Sequence, residues 1–336
     1  MSEVSGFPGH LVSAADLSDT QIGHLFGRAS VMRSLPRRDA RSLLEGFLLG
    51  VLFFQPSTRT KLGFEAAAIR LGAGVTGFAD SNTTRSVDYV GETLDDTVRV
   101  VSELSDVIVM RHYVAGAGRR ASCIASCPVI NGGDGSNEHP TQALSDAWLM
   151  HERLGGLRGA VVGLVGDPGT RVLRSMVHVL ARLRVKQLLF LVPPNAPFRT
   201  DCPGFLHTTL PADLRATLDA FGVHYGFRSD VLELLDEADA IEMMPIDIRA
   251  LEIDPHALTL RQQVTPERFR ITASKIHATG SGALILHPGP RKDELHPDVD
   301  ELPGGLYFEQ IPQSVYLRMA VLAQLCVPDE LVEGLK

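Results

Sequence analysis

Residues 50–68 read GVLFFQPSTRTKLGFEAAA, in which an apolar run of strand length leads through a proline turn into a helical pattern. The helix is preceded by Ser-Thr-Arg-Thr, the residues Ser57 to Thr60. Backbone N–H groups at a helix N-terminus, hydroxyl groups and a guanidinium all favour the same ligand, a phosphate. The segment therefore predicts a phosphate-binding turn, although these four residues alone are equally compatible with a polar helix cap.

Apolar runs of strand length alternate with segments of helical character along the chain. The apolar runs are residues 48–54, 107–110, 160–165, 187–192, 240–244 and 283–286. The helical segments between them include residues 61–71, 141–154, 171–183 and 211–221. This alternation predicts an α/β fold in which helices flank buried parallel sheets.

The length of 336 residues is typical of two domains. A new apolar strand begins within residues 157–167, after a polar turn that contains Gly155 and Gly156. We therefore expect one domain at 1–150 and a second at 151–311. A final helix at about 312–336 is expected to pack back on the first domain and complete it.

Composition narrows the class of partner. The formal net charge is −8 and no basic stripe stands out, which argues against a nucleic acid or a membrane surface as the partner. No apolar stretch reaches the roughly 18–20 residues of a membrane span, and the first nine residues lack a signal-peptide pattern, so we expect a cytoplasmic protein. The four cysteines are too scattered for a disulfide framework or a zinc site.

Two further segments place an arginine and a histidine where α/β sheets bind their ligands. Arg111 directly follows the apolar run 107–110, at the carboxyl end of a predicted strand. Residues 131–142 are glycine-rich and polar, and they lead into a helix that starts near His139. Gln142 lies three residues further on the same helix face. The imidazole and the amide are together suited to polarise a carbonyl and to hold an amide group.

A proline-rich loop follows the last predicted strand. It reads His-Pro-Gly-Pro-Arg, residues 287–291, and its two prolines predict a rigid backbone. Backbone carbonyls in such a loop can accept hydrogen bonds from a substrate NH2 group. As an isolated motif, the loop would indicate only a tight turn.

These four segments, in this order, resemble the aspartate/ornithine carbamoyltransferase family, and the aspartate carbamoyltransferase branch most closely. The likeness runs from about His10 to the closing helix and also includes Gly91-Glu92-Thr93-Leu94. It implies two α/β domains joined by long helices, assembled as a homotrimer or a higher homo-oligomer with active sites shared between subunits. The implied reaction is attack of an amine on the carbonyl of carbamoyl phosphate, with no cofactor, metal or covalent intermediate.

The resemblance also implies a role for each motif. The phosphate would be bound by Ser57, Thr58, Arg59 and Thr60, and Arg111 would bridge the phosphate and the carbonyl oxygen. His139 would polarise that carbonyl together with Thr60, while Gln142 and the backbone of Pro288 and Gly289 would hold the carbamoyl NH2. The side chains expected to be catalytic are Arg59, Thr60, Arg111, His139 and Gln142.

One departure from the family pattern lies in the loop before Gly91. In the aspartate branch this loop supplies a serine and a lysine to the neighbouring subunit, but Val90 stands at the lysine position. Arg85 is the only cation in the loop, with Ser86 beside it. We therefore predict that Arg85 and Ser86 reach into the adjacent site in trans; the alternative is an exposed loop arginine.

A second departure concerns the acceptor amine. Arg171 matches one arginine that grips aspartate in the family, but Pro245 and Asp247 replace the later Arg-x-Gln pair. The exchange makes the pocket more anionic and disfavours a second substrate carboxylate. We therefore predict an amino-acid-like acceptor other than plain L-aspartate, as in a specialised ureido amino-acid pathway. Arg249 is close enough in sequence to restore a cation, which keeps aspartate open.

Three alternatives remain at this point. The first is aspartate carbamoyltransferase of pyrimidine biosynthesis, and the second is a catalytically silent paralogue that binds a ligand. So many convergent polar groups argue against the silent paralogue. A nicotinamide dehydrogenase is disfavoured because residues 163–169 have the spacing G-x-x-G-x-x-G, and no acidic residue ends the next strand.

Overall fold

The computed structural model describes residues 7–80, 84, 91–193, 210–246, 265–328 and 331. The chain divides into two compact units, Met1–Trp148 with Ile311–Lys336, and Leu149–Gln310. Each unit is built around its own parallel sheet. The predicted α/β class, with two parallel-sheet domains flanked by helices, is therefore confirmed.

The first unit contains a four-stranded sheet with the order β2-β1-β3-β4. Its strands are β1 (Leu48–Phe53), β2 (Gly74–Phe78), β3 (Val107–His112) and β4 (Val129–Asp134). β1 and β3 are almost wholly buried, as expected for continuous apolar runs in a parallel sheet. Because Phe53 pairs with Arg111, the carboxyl ends of these two strands lie level with each other.

Seven helices accompany this sheet in the described part of the chain. They are α1 (Asp19–Ser34), α2 (Arg37–Arg41), α3 (Arg59–Leu71), α4 (Leu94–Leu104), α5 (Ala117–Ser122), α6 (Pro140–Leu154) and α11 (Gln310–Cys326). Gly72 caps the C-terminus of α3 with a φ of 92°, which favours glycine, and a Cβ atom there would also clash with the Arg41 carbonyl. The last turns of α6 and the first residue of α11 belong to the second unit.

The second unit contains a five-stranded sheet with the order β7-β6-β5-β8-β9. Its strands are β5 (Val161–Val165), β6 (Gln187–Leu191), β7 (His224–Phe227), β8 (Ala240–Met243) and β9 (Leu284–Leu286). Its other helices are α7 (Arg171–Arg182), α8 (Ala212–Phe221), α9 (Val231–Glu237) and α10 (Ala273–Thr279). Its core is formed by buried aliphatic side chains of the strands and of α9.

One sequence prediction needs correction. Residues 131–142 are predicted as a glycine-rich loop that opens a helix, yet residues 131–134 complete strand β4. Their polar side chains are tolerated there because the structure buries them with partners: Asn131 donates to the Val12 carbonyl and to Asp134.

No helix in the described residues is long and apolar enough to cross a membrane.

Candidate active site

The candidate site of the first unit begins at the N-terminus of α3. Ser57 lies just before the helix, and its Oγ accepts hydrogen bonds from the Thr60 N–H at 3.3 Å and from Nη1 of Arg111 at 2.8 Å. With both acceptor positions used, the Ser57 hydroxyl has only its proton left to offer a ligand. The turn after β1 therefore presents a hydroxyl donor beside the positive end of a helix dipole.

Thr58 and Arg59 complete this turn. Thr58 is the N-cap residue and is exposed, while Arg59 is the first residue of α3 and is half-buried. The structure thus places all four residues of the predicted phosphate turn at one helix N-terminus, as the apolar run and the proline before them indicate.

Arg111 is fixed by the geometry of the sheet. It is the fifth residue of β3, opposite Phe53 of β1, and its side chain is half-buried. The hydrogen bond to Ser57 directs the guanidinium towards the start of α3. A permanent positive charge therefore lies next to the helix N-terminus, where it favours a phosphate dianion.

His139 connects the phosphate turn to α6. Its Nε2 lies 3.2 Å from Oγ1 of Thr60, and its Nδ1 lies 3.4 Å from Oγ1 of Thr141. All three side chains are buried. The imidazole and the Thr60 hydroxyl thus converge on one place, as is needed to polarise a carbonyl oxygen.

Two buried carboxylates that the sequence did not single out hold the segment before His139. Asp134 accepts from the backbone N–H of Gly116 at 2.9 Å and of Glu138 at 3.2 Å. Glu138 accepts from the Ala14 N–H at 2.7 Å and from the Ser13 hydroxyl. Their partners are distant in sequence, so no local pattern identifies them.

Gln142 lies in the first turn of α6, three residues after His139, and both side chains are buried. Its Nε2 donates to Oδ2 of Asp146 at 2.7 Å. Together, Ser57, Arg59, Thr60, Arg111, His139 and Gln142 provide the first unit with a cationic and hydrogen-bonding site at the carboxyl ends of a parallel sheet. Among the residues that the structure describes, no three His, Cys, Asp or Glu side chains are grouped as metal ligands.

The proline-rich loop of the second unit follows β9. The Gly289 N–H donates to Nδ1 of His287 at 2.8 Å, so the imidazole carries its proton on Nε2. That nitrogen lies 3.0 Å from Oε1 of Glu294, and both side chains are fully buried. Arg291 forms a bidentate pair with Asp300 at 2.6 Å for each hydrogen bond. The backbone around Pro288 and Gly289 is therefore held on both sides.

The predicted acceptor residues are described only in part. Arg171 is the first residue of α7, after a turn in which the Gly169 N–H donates to Asp167 at 2.8 Å. Burial raises the pKa of Asp167 to about 6, although the hydrogen bond from Gly169 opposes the shift. Pro245 lies two residues beyond β8 and is partly buried. Asp247, Arg249, Arg85 and Ser86 lie outside the described residues.

Fold and site together define a class of protein. A helix N-terminus with hydroxyl and guanidinium donors is suited to a phosphate, and the adjoining histidine and amide are suited to a carbonyl carrying an NH2 group. The domain family described as "Aspartate/ornithine carbamoyltransferase, carbamoyl-P binding domain" matches residues 9–152. The family described as "Aspartate/ornithine carbamoyltransferase, Asp/Orn binding domain" matches residues 158–325. The chain therefore belongs to the aspartate/ornithine carbamoyltransferase family and is a carbamoyltransferase.

Individual relatives cover almost the whole chain. The aspartate carbamoyltransferase catalytic subunit of Alkaliphilus oremlandii is 35% identical over 94% of this chain and 90% of its own length. Aspartate carbamoyltransferase 2 of Pisum sativum, a chloroplastic protein, is also 35% identical, over 94% of this chain and 78% of its own length. The aspartate transcarbamoylase of Trypanosoma cruzi, solved with carbamoyl phosphate and aspartate, has a TM-score of 0.80 at 30% identity and covers 95% of both chains. These likenesses confirm the family that the motifs indicate.

Proposed function

We propose that this chain transfers the carbamoyl group of carbamoyl phosphate to the amino group of L-aspartate. The observation that carries the donor half is the pair of contacts at the start of α3, Ser57 with Arg111 and Thr60 with His139. One contact leaves the Ser57 hydroxyl proton for a phosphate, and the other brings the Thr60 hydroxyl and the His139 imidazole to the place of a carbonyl oxygen. Carbamoyl phosphate contains both groups, joined through one oxygen.

The chemistry follows from these donors. The amine nitrogen attacks the carbonyl carbon, the bond from that carbon to the phosphate oxygen breaks, and the amine loses a proton as phosphate leaves. Negative charge grows on the carbonyl oxygen and on the departing phosphate. Arg111, His139 and the hydroxyls of Ser57 and Thr60 are placed before the reaction begins, so they stabilise this charge with little reorganisation.

The choice of aspartate rests on the relatives. Six relatives at 34–35% identity over 90% or more of this chain are named aspartate carbamoyltransferases. The prediction of a different acceptor finds no support among them. It depended on Pro245 and Asp247, and Asp247 lies outside the described residues.

A panel of amines tests this proposal. Carbamoyl phosphate is incubated with L-aspartate, L-ornithine, L-2,3-diaminopropionate or L-asparagine, and phosphate release is measured together with the mass of the product. We expect carbamoyl-aspartate in equimolar amount to phosphate, and a kcat/KM for aspartate at least 100-fold above the other amines. Faster turnover of a diamino acid would restore the prediction made from Pro245 and Asp247. Phosphate release that no amine accelerates would contradict carbamoyl transfer.

Several parts of the proposal rest on the sequence and on the family likeness, without a contact in the structure behind them. They are a homotrimeric assembly, the action of Arg85 and Ser86 in trans, the contacts of Arg171, Asp247 and Arg249 with the acceptor, and a cytoplasmic location. Mixing Arg85→Ala subunits with subunits inactivated by His139→Ala tests the shared site, because activity must reappear in the mixture if Arg85 acts on its neighbour.

A further inference from the structure

Gln142 is held by a buried carboxylate one helical turn further along α6. Its Nε2 donates to Oδ2 of Asp146 at 2.7 Å, and only 1% of the Asp146 surface is exposed. An ionised carboxylate accepts hydrogen bonds and donates none, so the NH2 end of the Gln142 amide must face Asp146. The opposite end of the amide, Oε1, is then the end that a ligand meets.

A buried arginine from the C-terminal helix favours the ionised form of Asp146. Arg318 of α11 is 1% exposed, its Nη1 donates to the Ser314 hydroxyl at 2.5 Å, and its guanidinium lies 5.5 Å from the centre of the Phe64 ring. Burial lowers the pKa of Arg318 to about 10, and attraction to Asp146 opposes that shift. Arg318 therefore stays cationic at neutral pH and stabilises a negative charge on Asp146.

We propose that Asp146 is a positioning residue that fixes the amide of Gln142 with its oxygen towards the NH2 group of carbamoyl phosphate. The inference rests on the proposed function, in which Gln142 meets that NH2. A carbamoyl NH2 group donates hydrogen bonds, so it is complementary to Oε1 and not to Nε2. Asp146 and Arg318 thereby select a carbamoyl donor over an acyl donor that has a methyl group in the same place.

The probes that isolate this effect are three phosphates. Carbamoyl phosphate carries NH2, acetyl phosphate carries a methyl group of similar size, and inorganic phosphate carries neither. Calorimetric titration without an acceptor gives a dissociation constant for each. The ratio of the acetyl phosphate to the carbamoyl phosphate constant measures discrimination at the NH2 position, and the inorganic phosphate constant reports the integrity of the turn at Ser57–Thr60.

In Asp146→Ala, we expect carbamoyl phosphate to bind roughly 5- to 10-fold more weakly, because the Gln142 amide must be ordered on binding. The constants for acetyl phosphate and inorganic phosphate should stay within about 2-fold of wild type. Asp146→Asn should recover most of the discrimination, since an amide oxygen can still accept from Nε2. The matched control is Asp106→Ala, which removes an exposed carboxylate that accepts from the Leu48 N–H at 2.7 Å.

A combined variant decides whether Asp146 acts through Gln142. In a Gln142→Ala background, Asp146→Ala should change the discrimination ratio less than about 2-fold, because the residue being positioned is gone. An undiminished effect there, or an equal loss of all three phosphates, would show that Asp146 only supports the fold. If wild type binds inorganic phosphate but does not prefer carbamoyl phosphate, the proposed function fails first and this inference with it.

Discussion

The turn at Ser57–Thr60 in the first unit and the loop at residues 287–291 in the second unit are held in different ways. The turn presents side chains, and these are hydrogen-bonded to one another through Ser57 with Arg111 and Thr60 with His139. The loop presents backbone, and its support comes from His287 and Glu294, which are fully buried beneath it.

This difference predicts which property a mutation in each region changes. A change in the turn removes a group that we expect to meet the phosphate but leaves the helix and strand packing intact. A change under the loop removes a buried partner and leaves backbone and ring N–H groups unsatisfied, which lowers the free energy of unfolding. Mutations in the turn should therefore lower activity and leave stability unchanged. Mutations under the loop should lower both stability and activity.

The strongest loss of activity is predicted for a substitution next to the turn. Arg111→Ala should lower kcat by roughly 100- to 1,000-fold, because it removes a preorganised donor to the developing charge. Its thermal unfolding midpoint should stay near that of wild type. Steady-state phosphate release and a thermal melt measure both quantities.

The control for Arg111 is Arg120→Ala, which removes an exposed arginine paired with Asp95 at 2.6 Å. It should change kcat less than about 3-fold, since surface ion pairs contribute little. A kcat within 10-fold of wild type for Arg111→Ala would show that this arginine does not act in the reaction.

The next prediction concerns removal of the buried carboxylate that supports the loop. Glu294→Ala leaves the Lys292 N–H and Nε2 of His287 without their shared acceptor. We expect the free energy of unfolding to fall by about 2–3 kcal/mol. Urea unfolding measures the loss. Exposed Glu301 provides the control, because Glu301→Ala should change stability by no more than about 0.5 kcal/mol. Equal stabilities for the two variants would show that the buried pair does not hold the loop.

A third prediction returns to the first unit and tests packing behind the turn. A Cβ atom on Gly63 of α3 would lie 2.5 Å from Nη1 of buried Arg318. Gly63→Ala should therefore lower the free energy of unfolding by about 1–2 kcal/mol, despite the higher helix propensity of alanine. Gly27 of α1 is exposed and has no atom within 4 Å of such a Cβ, so Gly27→Ala should be neutral or stabilising. Guanidinium chloride unfolding compares the pair, and a stabilised Gly63→Ala would mean that Arg318 moves aside freely.

The smallest effect is a pH dependence on α7. Burial is the main cause that lowers the pKa of His178 to about 4, and the charges of Arg182 and Arg174 add to it. Between pH 6.5 and 4 the unfolded chain binds the proton more readily, so acidification lowers stability in this window. The raised pKa of Asp167 changes stability in the opposite direction between pH 3.8 and 6. The pH dependence of wild-type stability alone therefore does not isolate the contribution of His178.

The variant His178→Gln removes this titration. Between pH 6 and pH 5, wild type should lose about 1 kcal/mol more unfolding free energy than His178→Gln. The control is His224→Gln, since His224 is exposed. Its unfolding free energy should follow the wild-type dependence on pH. Parallel curves for wild type and His178→Gln would rule out a buried neutral imidazole at this position.

The parts of the fold and site that the sequence predicts are those set by local pattern. The phosphate turn and the proline-rich loop each follow an apolar strand, and Arg111 is the last but one residue of another. Strand ends alone therefore bring each of them to the carboxyl edge of its own sheet. Strand β4 was missed because Asn131 and Asp134 read as loop residues, and only burial with distant partners makes them strand. Glu138 bonds Ser13 across 125 positions. The contact between Asp146 and Gln142 is predictable from the sequence, since residues four positions apart on a helix lie side by side.

Binding of N-(phosphonacetyl)-L-aspartic acid tests the proposed reaction most directly, because one molecule joins a phosphonate, a carbonyl and an aspartate. Calorimetry compares it with phosphonoacetamide, which lacks the aspartate carboxylates. A site for carbamoyl phosphate and aspartate predicts that the aspartyl half increases affinity at least 100-fold, and that Arg111→Ala weakens both compounds. Equal affinities would contradict aspartate as the acceptor, and failure to bind either compound would contradict the carbamoyl phosphate site itself.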